Sequence, residues 1–193
     1  LRNENYWKAG RAHADAVDLL AINDVTARTA GLQTGEIHLI ERVDLKTLEL
    51  LKQSPDIQVF RTAGYAHRSF CMLSDTAPFD NLDVRLALKY AVDREEVLSK
   101  ILRGYGRLGN DHPIASSDPM FAADIPQRVY DPDKAKFHWK KSGVGDITIP
   151  ISTSDVAYNG AVDMCMLYQQ SAAKAGIKLD VVREPNDGYW SNV

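Results

Sequence analysis

Three short stretches carry side chains whose types and spacing could do chemistry. They are Asn110-Asp111-His112 ahead of Pro113, the run Ser152-Thr153-Ser154-Asp155 followed by Tyr158, and the pair Tyr189-Trp190 near the end of the chain. A neighbouring carboxylate and imidazole could receive a polar or cationic ligand, although Asn110 and Asp111 equally suit a turn in which they bond their own backbone. Ser152, Ser154 and Asp155 stand between an expected strand and an expected helix, where ligands collect in α/β proteins. Helix capping would place Ser154 and Asp155 there too. Tyr158, Tyr189 and Trp190 could form the aromatic wall of a site or could pack into a core.

None of these groups is arranged for catalysis. The chain has no G-x-S-x-G elbow, and Ser116-Ser117 has only His112 nearby, so no catalytic residue is expected. His13, His38, His67 and His138 are scattered, and neither H-E-x-x-H nor C-x-x-C occurs, so no metal site is expected. Gly104 to Gly109 read GYGRLG, a literal match to the dinucleotide fingerprint. That fingerprint must follow a strand and open a helix so that backbone N–H groups meet the pyrophosphate, whereas here it trails a helix. No nucleotide or other cofactor is therefore expected. Cys71 and Cys165 lie in apolar runs 94 positions apart, as two buried small hydrophobes or as a long-range disulfide.

The elements that must position these groups alternate. Strands are expected over 15–22, 37–43, 57–63, 67–73, 147–153 and 178–184. The first helix begins after Asp24 and stops at Gly35. Asp44 is expected to cap a second, LKTLELLKQ, whose Leu45, Leu48 and Leu51 share a face. Asp80 is expected to cap a helix carrying Leu82, Leu86 and Tyr90. Asp93 with Glu96 three residues on forms a capping-box pattern, and Gly104 ends the helix that follows. Residues 107–130 hold three prolines and no sustained period, so they form a long connection of the kind that often carries function. Asp131 with Pro132 opens a helix running to Gly143. The longest helix is expected over 157–176, with Ala161, Met164, Cys165, Tyr168 and Ala172 on one face. The fold class this implies is α/β with mostly parallel pairings.

Bulk properties narrow the partners. Among 193 residues 45% are hydrophobic and 25% charged, with 23 Lys plus Arg against 26 Asp plus Glu and a formal charge of −3, which suits one or two globular domains. The chain lacks the concentrated basic face that a nucleic-acid partner would want, and no apolar run approaches the ~20 residues of a membrane span.

Four stretches together resemble one family. NENYWKAGRAHADAVDLLAINDVTARTAGLQTGEIHLI is similar to a pattern of an N-x-x-Y-W opening, a strand and an A-x-L-x-x-G-E helix end. PFDNLDVRLALKYAVDREEVLSKILRGYG and YDPDKAKFHWKKSG resemble P-[FL]-D-D-x-R-V-R-x-A-L-x-x-A-[IV]-[DN]-R and Y-D-P-E-K-A-K-x-L-L-x-x-A-G, and AAKAGIKLDVVREPNDGYW resembles K-x-G-[IV]-x-V with its strand and aromatic-bearing helix. The family is that of extracytoplasmic solute-binding proteins of the dipeptide and oligopeptide type (family 5), which serve ABC importers. Asn81-Leu82-Asp83, Phe137-His138-Trp139 and GNDHPI depart from its usual residues.

The resemblance implies a two-lobed, type II periplasmic-binding-protein-like fold, of which this chain would be an internal piece without its leader. Residues 1–63 would belong to the first lobe and 64–193 to the second, with a hinge near Gly64. Its function would be capture of peptides or related small solutes by lobe closure, without catalysis. ABC permease subunits would be its partners, the periplasm its location and the monomer its state. Asn110, Asp111, His112, Ser154, Asp155, Tyr158, Tyr189 and Trp190 are the candidate ligand-binding residues. The alternative is an α/β hydrolase or transferase domain.

Overall fold

The computed structural model describes residues 2–62 and 64–193 and divides into two compact units, Leu1–Val43 and Asp44–Val193. In the first unit, helix α1 (Val25–Thr34) begins as expected, with the Asp24 carboxylate accepting from the Ala27 N–H at 2.7 Å. Gly35 ends it at φ 77°, in the left-handed region open to glycine. Chain reversal then brings Ile37 against Gly31, where an added Cβ would lie 2.8 Å from the Ile37 side chain.

The second unit is built from α2 (Leu48–Leu51), α3 (Leu82–Ala91), α4 (Arg94–Glu96), a π-helical turn (Val97–Ile101), α5 (Pro132–Ser142), β1 (Thr148–Thr153), α6 (Ala161–Ala173), β2 (Lys178–Arg183) and α7 (Tyr189–Asn192). β1 and β2 pair in parallel, from Thr148 opposite Lys178 to Thr153 opposite Arg183, with α6 as the crossover between them. Val84, Ala87, Leu88 and Ala91 of α3, Ala135 of α5, Ile149 of β1, Tyr168 and Ala172 of α6, and Ile177 and Leu179 around β2 form one buried cluster.

The C-terminal end of α3 shows how this core is tied. A helix leaves its last four carbonyls without intrahelical partners, and Val92 does not turn left-handed to cover them. Each is met by a tertiary donor instead. The Tyr168 hydroxyl donates to Leu88 O at 2.9 Å, Arg94 to Lys89 O at 3.1 Å, the Asp131 N–H to Tyr90 O at 3.0 Å and the Ser171 hydroxyl to Ala91 O at 2.7 Å. Two of these donors come from α6, so the seam between α3 and α6 is polar at its centre and apolar around it.

Several elements differ from the sequence expectation. Asn81, not Asp80, caps α3: its side-chain oxygen accepts from Asp83 N at 2.9 Å while its amide donates to Ser142 O at 3.0 Å. Asp80 is held one residue too early by the turn from Thr76. Asp44 closes a turn on Lys46, and helix begins only at Leu48. Asp93 caps α4 as expected, but the helix widens into the π turn before Gly104. The long helix starts at Ala161 because residues 154–160 form turns.

No ladder forms over the described residues of 15–22, 37–43, 57–63 or 67–73, and Ala63 lies outside them. Those runs have strand-like composition, but a strand needs a partner to meet its backbone groups, and β1 and β2 pair with each other. The alternation of side chains nevertheless survives in 67–73: Phe70 and Met72 pack on the core, while Cys71 and Leu73 are exposed. Cys71 and Cys165 are both free thiols, one exposed and one buried, so the disulfide alternative is not realised.

Candidate functional site

The carboxyl ends of β1 and β2 open onto the turn 154–160 and the segment 184–188. Ser154, fully buried, donates from its hydroxyl to Asn186 Oδ1 at 2.7 Å, and the Val156 N–H reaches the same oxygen at 3.2 Å. One asparagine side chain thus fastens the segment after β2 to the turn after β1. On the solvent side, Asp155 accepts from Arg183 Nε at 3.1 Å and Glu184 accepts from the Ser152 hydroxyl at 3.0 Å.

Tyr158 forms the floor of this region. The Arg68 guanidinium carbon stands 4.0 Å from its ring centroid, a stacking distance for a cation on an aromatic face. Its hydroxyl meets Met164 Sδ at 3.5 Å. Burial pushes the phenol well above its ordinary range; Cys165 adds to that, Arg68 opposes it, and Tyr189 and Cys71 contribute further. Burial also raises the Cys165 thiol, against a hydrogen bond with Thr153. Tyr189 and Trp190 meet edge to face, with ring centroids 5.1 Å apart, and Trp190 is 73% exposed.

Asn110, Asp111 and His112 have a separate set of partners. The Asn110 amide donates to Pro126 O at 3.0 Å and its oxygen accepts from Arg128 N at 2.8 Å. Asp111 pairs with Arg94, with Arg128 Nε at 2.6 Å and with Lys89 Nζ at 3.9 Å, on a side chain only 17% exposed. His112 lies against Phe121, with ring centroids 5.4 Å apart, and its Nε2 is buried without a hydrogen-bond partner. These contacts draw the two ends of the long connection together and join them to α3 and α4.

The structure thus brings Ser154, Asp155 and Tyr158 together at the strand ends and surrounds Tyr158 with Arg68 and Tyr189. Arg68 and Asn186 were not singled out in the sequence. Arg68 stands two residues before Phe70 but is exposed, and neither its stacking on Tyr158 nor the reach of Asn186 across 32 residues to Ser154 had a signal in the sequence. Among the described residues no group of three or more His, Cys, Asp or Glu side chains is placed to hold a metal ion, and no helix is long and apolar enough to cross a membrane.

A parallel β-α-β unit with polar and aromatic side chains at its strand ends, packed against short helices, is an α/β architecture of the type II periplasmic binding proteins. The periplasmic binding protein DppA from Helicobacter pylori, solved in complex with the peptide STSA, superposes with a TM-score of 0.82 at 26% identity, over 98% of this chain and 36% of that one. The family model for the bacterial extracellular solute-binding proteins, family 5 Middle, matches residues 1–193, and the chain belongs to that family. It is 30% identical over 185 residues to di/tripeptide-binding protein 1 of Pseudomonas aeruginosa, covering 93% of this chain and 34% of that protein. It is 34% identical over 134 residues to heme-binding protein A of Haemophilus influenzae, covering 69% and 24% respectively. The chain therefore spans between about a quarter and about a third of the length of these relatives.

Proposed function

We propose that the protein captures peptides or related small solutes for an ABC importer outside the cytoplasm, by closure of two lobes around the solute and without catalysis. The observation that carries this reading is the family match over the whole of residues 1–193. The peptide named with the Helicobacter pylori structure and the di/tripeptide named for the Pseudomonas aeruginosa relative support a peptide as the solute. In this reading residues 1–63 belong to the first lobe and 64–193 to the second, permease subunits are the partners and the protein works as a monomer.

Asp155, Tyr158, Tyr189 and Trp190 would line the second lobe's share of the site, with Ser154 buried behind them and bonded to Asn186. The aromatic rings offer apolar walls, and Asp155 offers a carboxylate that a ligand ammonium could share with Arg183. Asn110, Asp111 and His112 were candidates on the same footing. Their contacts support a role in fastening the long connection, and any ligand contact from them would come through the loop they hold. Closure is favoured only by the extra affinity of the closed form. The test is native mass spectrometry of the protein isolated from an extracytoplasmic fraction, followed by calorimetric titration with di- and tripeptides, glutathione and hemin. A co-purified peptide, or micromolar peptide binding weakened by Tyr158→Ala, is the expected result. An empty protein that turns over an ester panel would support the hydrolase alternative instead.

A further inference from the structure

Arg68 brings a positive charge from the segment 67–73 onto the aromatic floor of the candidate site. Phe70, two residues on, packs on the core, whereas Arg68 itself is exposed. Its guanidinium carbon stands 4.0 Å from the Tyr158 ring centroid, the closest approach of a cation to a ring among the described residues. Tyr158 is well fixed in turn. Its carbonyl accepts from the Ala161 N–H at 3.0 Å, and the Ala157 N–H before it donates to Ser154 O at 3.1 Å. The turn from β1 to α6 therefore sets the ring on which Arg68 lies.

Holding a long side chain in one place at an exposed position gives up rotamer entropy, and a cation over a ring returns little of it in water. What the arrangement supplies is a preorganised donor, which a binding site needs. A guanidinium is planar and carries five N–H donors in a rigid fork around its edge. With Tyr158 under one face, the edge is the part that can meet a solute, and its fork matches a carboxylate through two parallel N–H···O bonds. Asp155 and Glu184, the acids at these strand ends, are held by other residues: Asp155 accepts from Arg183 Nε at 3.1 Å and Glu184 from the Ser152 hydroxyl at 3.0 Å. A carboxylate approaching Arg68 displaces neither.

We infer that Arg68 determines which solutes the site accepts: its N–H edge takes a carboxylate of the solute, with Tyr158 as the platform beneath it. The inference rests on the reading of the protein as one that captures a solute, and it makes that solute a carboxylate-bearing one. A peptide can present the group from its C-terminus or from an acidic side chain, and the same fork fits both. A solute without a carboxylate covers the guanidinium without replacing the water on its edge, and an ionic donor left unsatisfied in that way lowers affinity.

The experiment is calorimetric titration of the full-length secreted protein with three probes: Ala-Ala-Ala as the free acid, Ala-Ala-Ala amide, and Ala-Glu-Ala amide. The unsubstituted protein is expected to bind at least one carboxylate-bearing probe about tenfold more tightly than Ala-Ala-Ala amide. Preference for the free acid assigns the terminal carboxylate to Arg68, and preference for Ala-Glu-Ala amide assigns the side chain. Arg68→Gln should abolish the preference while leaving Ala-Ala-Ala amide bound as before, and Arg68→Lys, which keeps the charge but loses the fork, should restore part of it. A role confined to packing on Tyr158 would instead weaken all three probes alike. The inference is overturned, and capture of peptides stands, if the probes bind but the preference is absent, survives Arg68→Gln, or falls together with binding of Ala-Ala-Ala amide. Binding of none of the three by the unsubstituted protein would overturn the peptide reading and the inference with it.

Discussion

At the scale of single residues, one buried hydroxyl and one carboxylate carry testable weight. The Tyr168 ring is almost wholly enclosed and packs against Phe70 at a tilt of 36° with centroids 4.4 Å apart, while its hydroxyl satisfies Leu88 O. Tyr168→Phe keeps the packing and abandons that carbonyl, so a loss of about 1–3 kcal/mol is expected from urea denaturation. Asp83 is a different case, because its contribution depends on pH. Hydrogen bonds from His138 and then Lys141 hold its carboxyl below the ordinary value of 3.8. A group depressed in the folded state stabilises above its unfolded pKa and loses that contribution as pH falls through the folded one. Stability should therefore decline on acidification from about pH 4 downward, and Asp83→Asn should flatten part of that limb. Glu49 and Asp131 are depressed as well and will keep the remainder.

At the scale of elements, two features make separate predictions. Gly160 sits at φ 84° where α6 begins, and a Cβ there would stand 2.8 Å from Ile101 Cγ2 in the π turn. Gly160→Ala faces both the left-handed penalty and the collision, so a cost of about 2–3 kcal/mol is expected in thermal melts. The connection 107–130 is held by Asp111 against Arg94, Arg128 and Lys89. Asp111→Ala leaves two poorly exposed guanidinium groups without their carboxylate, and amide exchange across 109–128 should quicken while α6 stays protected. Unchanged exchange in the loop would show that Asn110, together with the Gln127 amide that donates to Gly109 O at 2.9 Å, holds it alone.

The same elements show what could be read from the sequence. Asp24, Asp93 and Asp131 were legible as caps because a cap acts over three residues, and β1, α6 and β2 were legible because their apolar periods run uninterrupted between glycines. Asn81 was missed because Asp80 beside it has the same chemistry, and the choice between them is made by a distant acceptor, Ser142 O. The apolar runs at 15–22, 37–43 and 67–73 have the composition of strands, but a ladder depends on a partner strand that composition cannot supply. In the candidate site, Tyr158 and Ser154 followed from their place between strand and helix, whereas the arginines that meet Asp111 and the asparagine that meets Ser154 lie far away in the chain.

At the scale of the whole molecule, burial is unevenly shared. Every large buried side chain among the described residues belongs to Asp44–Val193, and in the unit Leu1–Val43 the only buried residue is Gly31. Val17, Leu19, Leu20 and Leu39 are each exposed by 66% or more. Apolar burial is the main favourable term in folding, at roughly 25 cal/mol per Å², and a segment without it cannot offset the entropy of ordering its backbone. A polypeptide of these 193 residues should therefore show two classes of amide in native-state hydrogen exchange. Protection in α3, α6, β1 and β2 should approach that of global unfolding, whereas α1 should exchange by local opening and lose its signal early in a denaturant series. Addition of an apolar probe dye should bring fluorescence even before heating, because the exposed leucines and valines of the first unit are available to it. Uniform protection across α1 and α6 would mean that the first unit is stabilised by contacts as strong as the core around Tyr168, and the exposure of Leu19 and Leu20 would then have to be lost in solution.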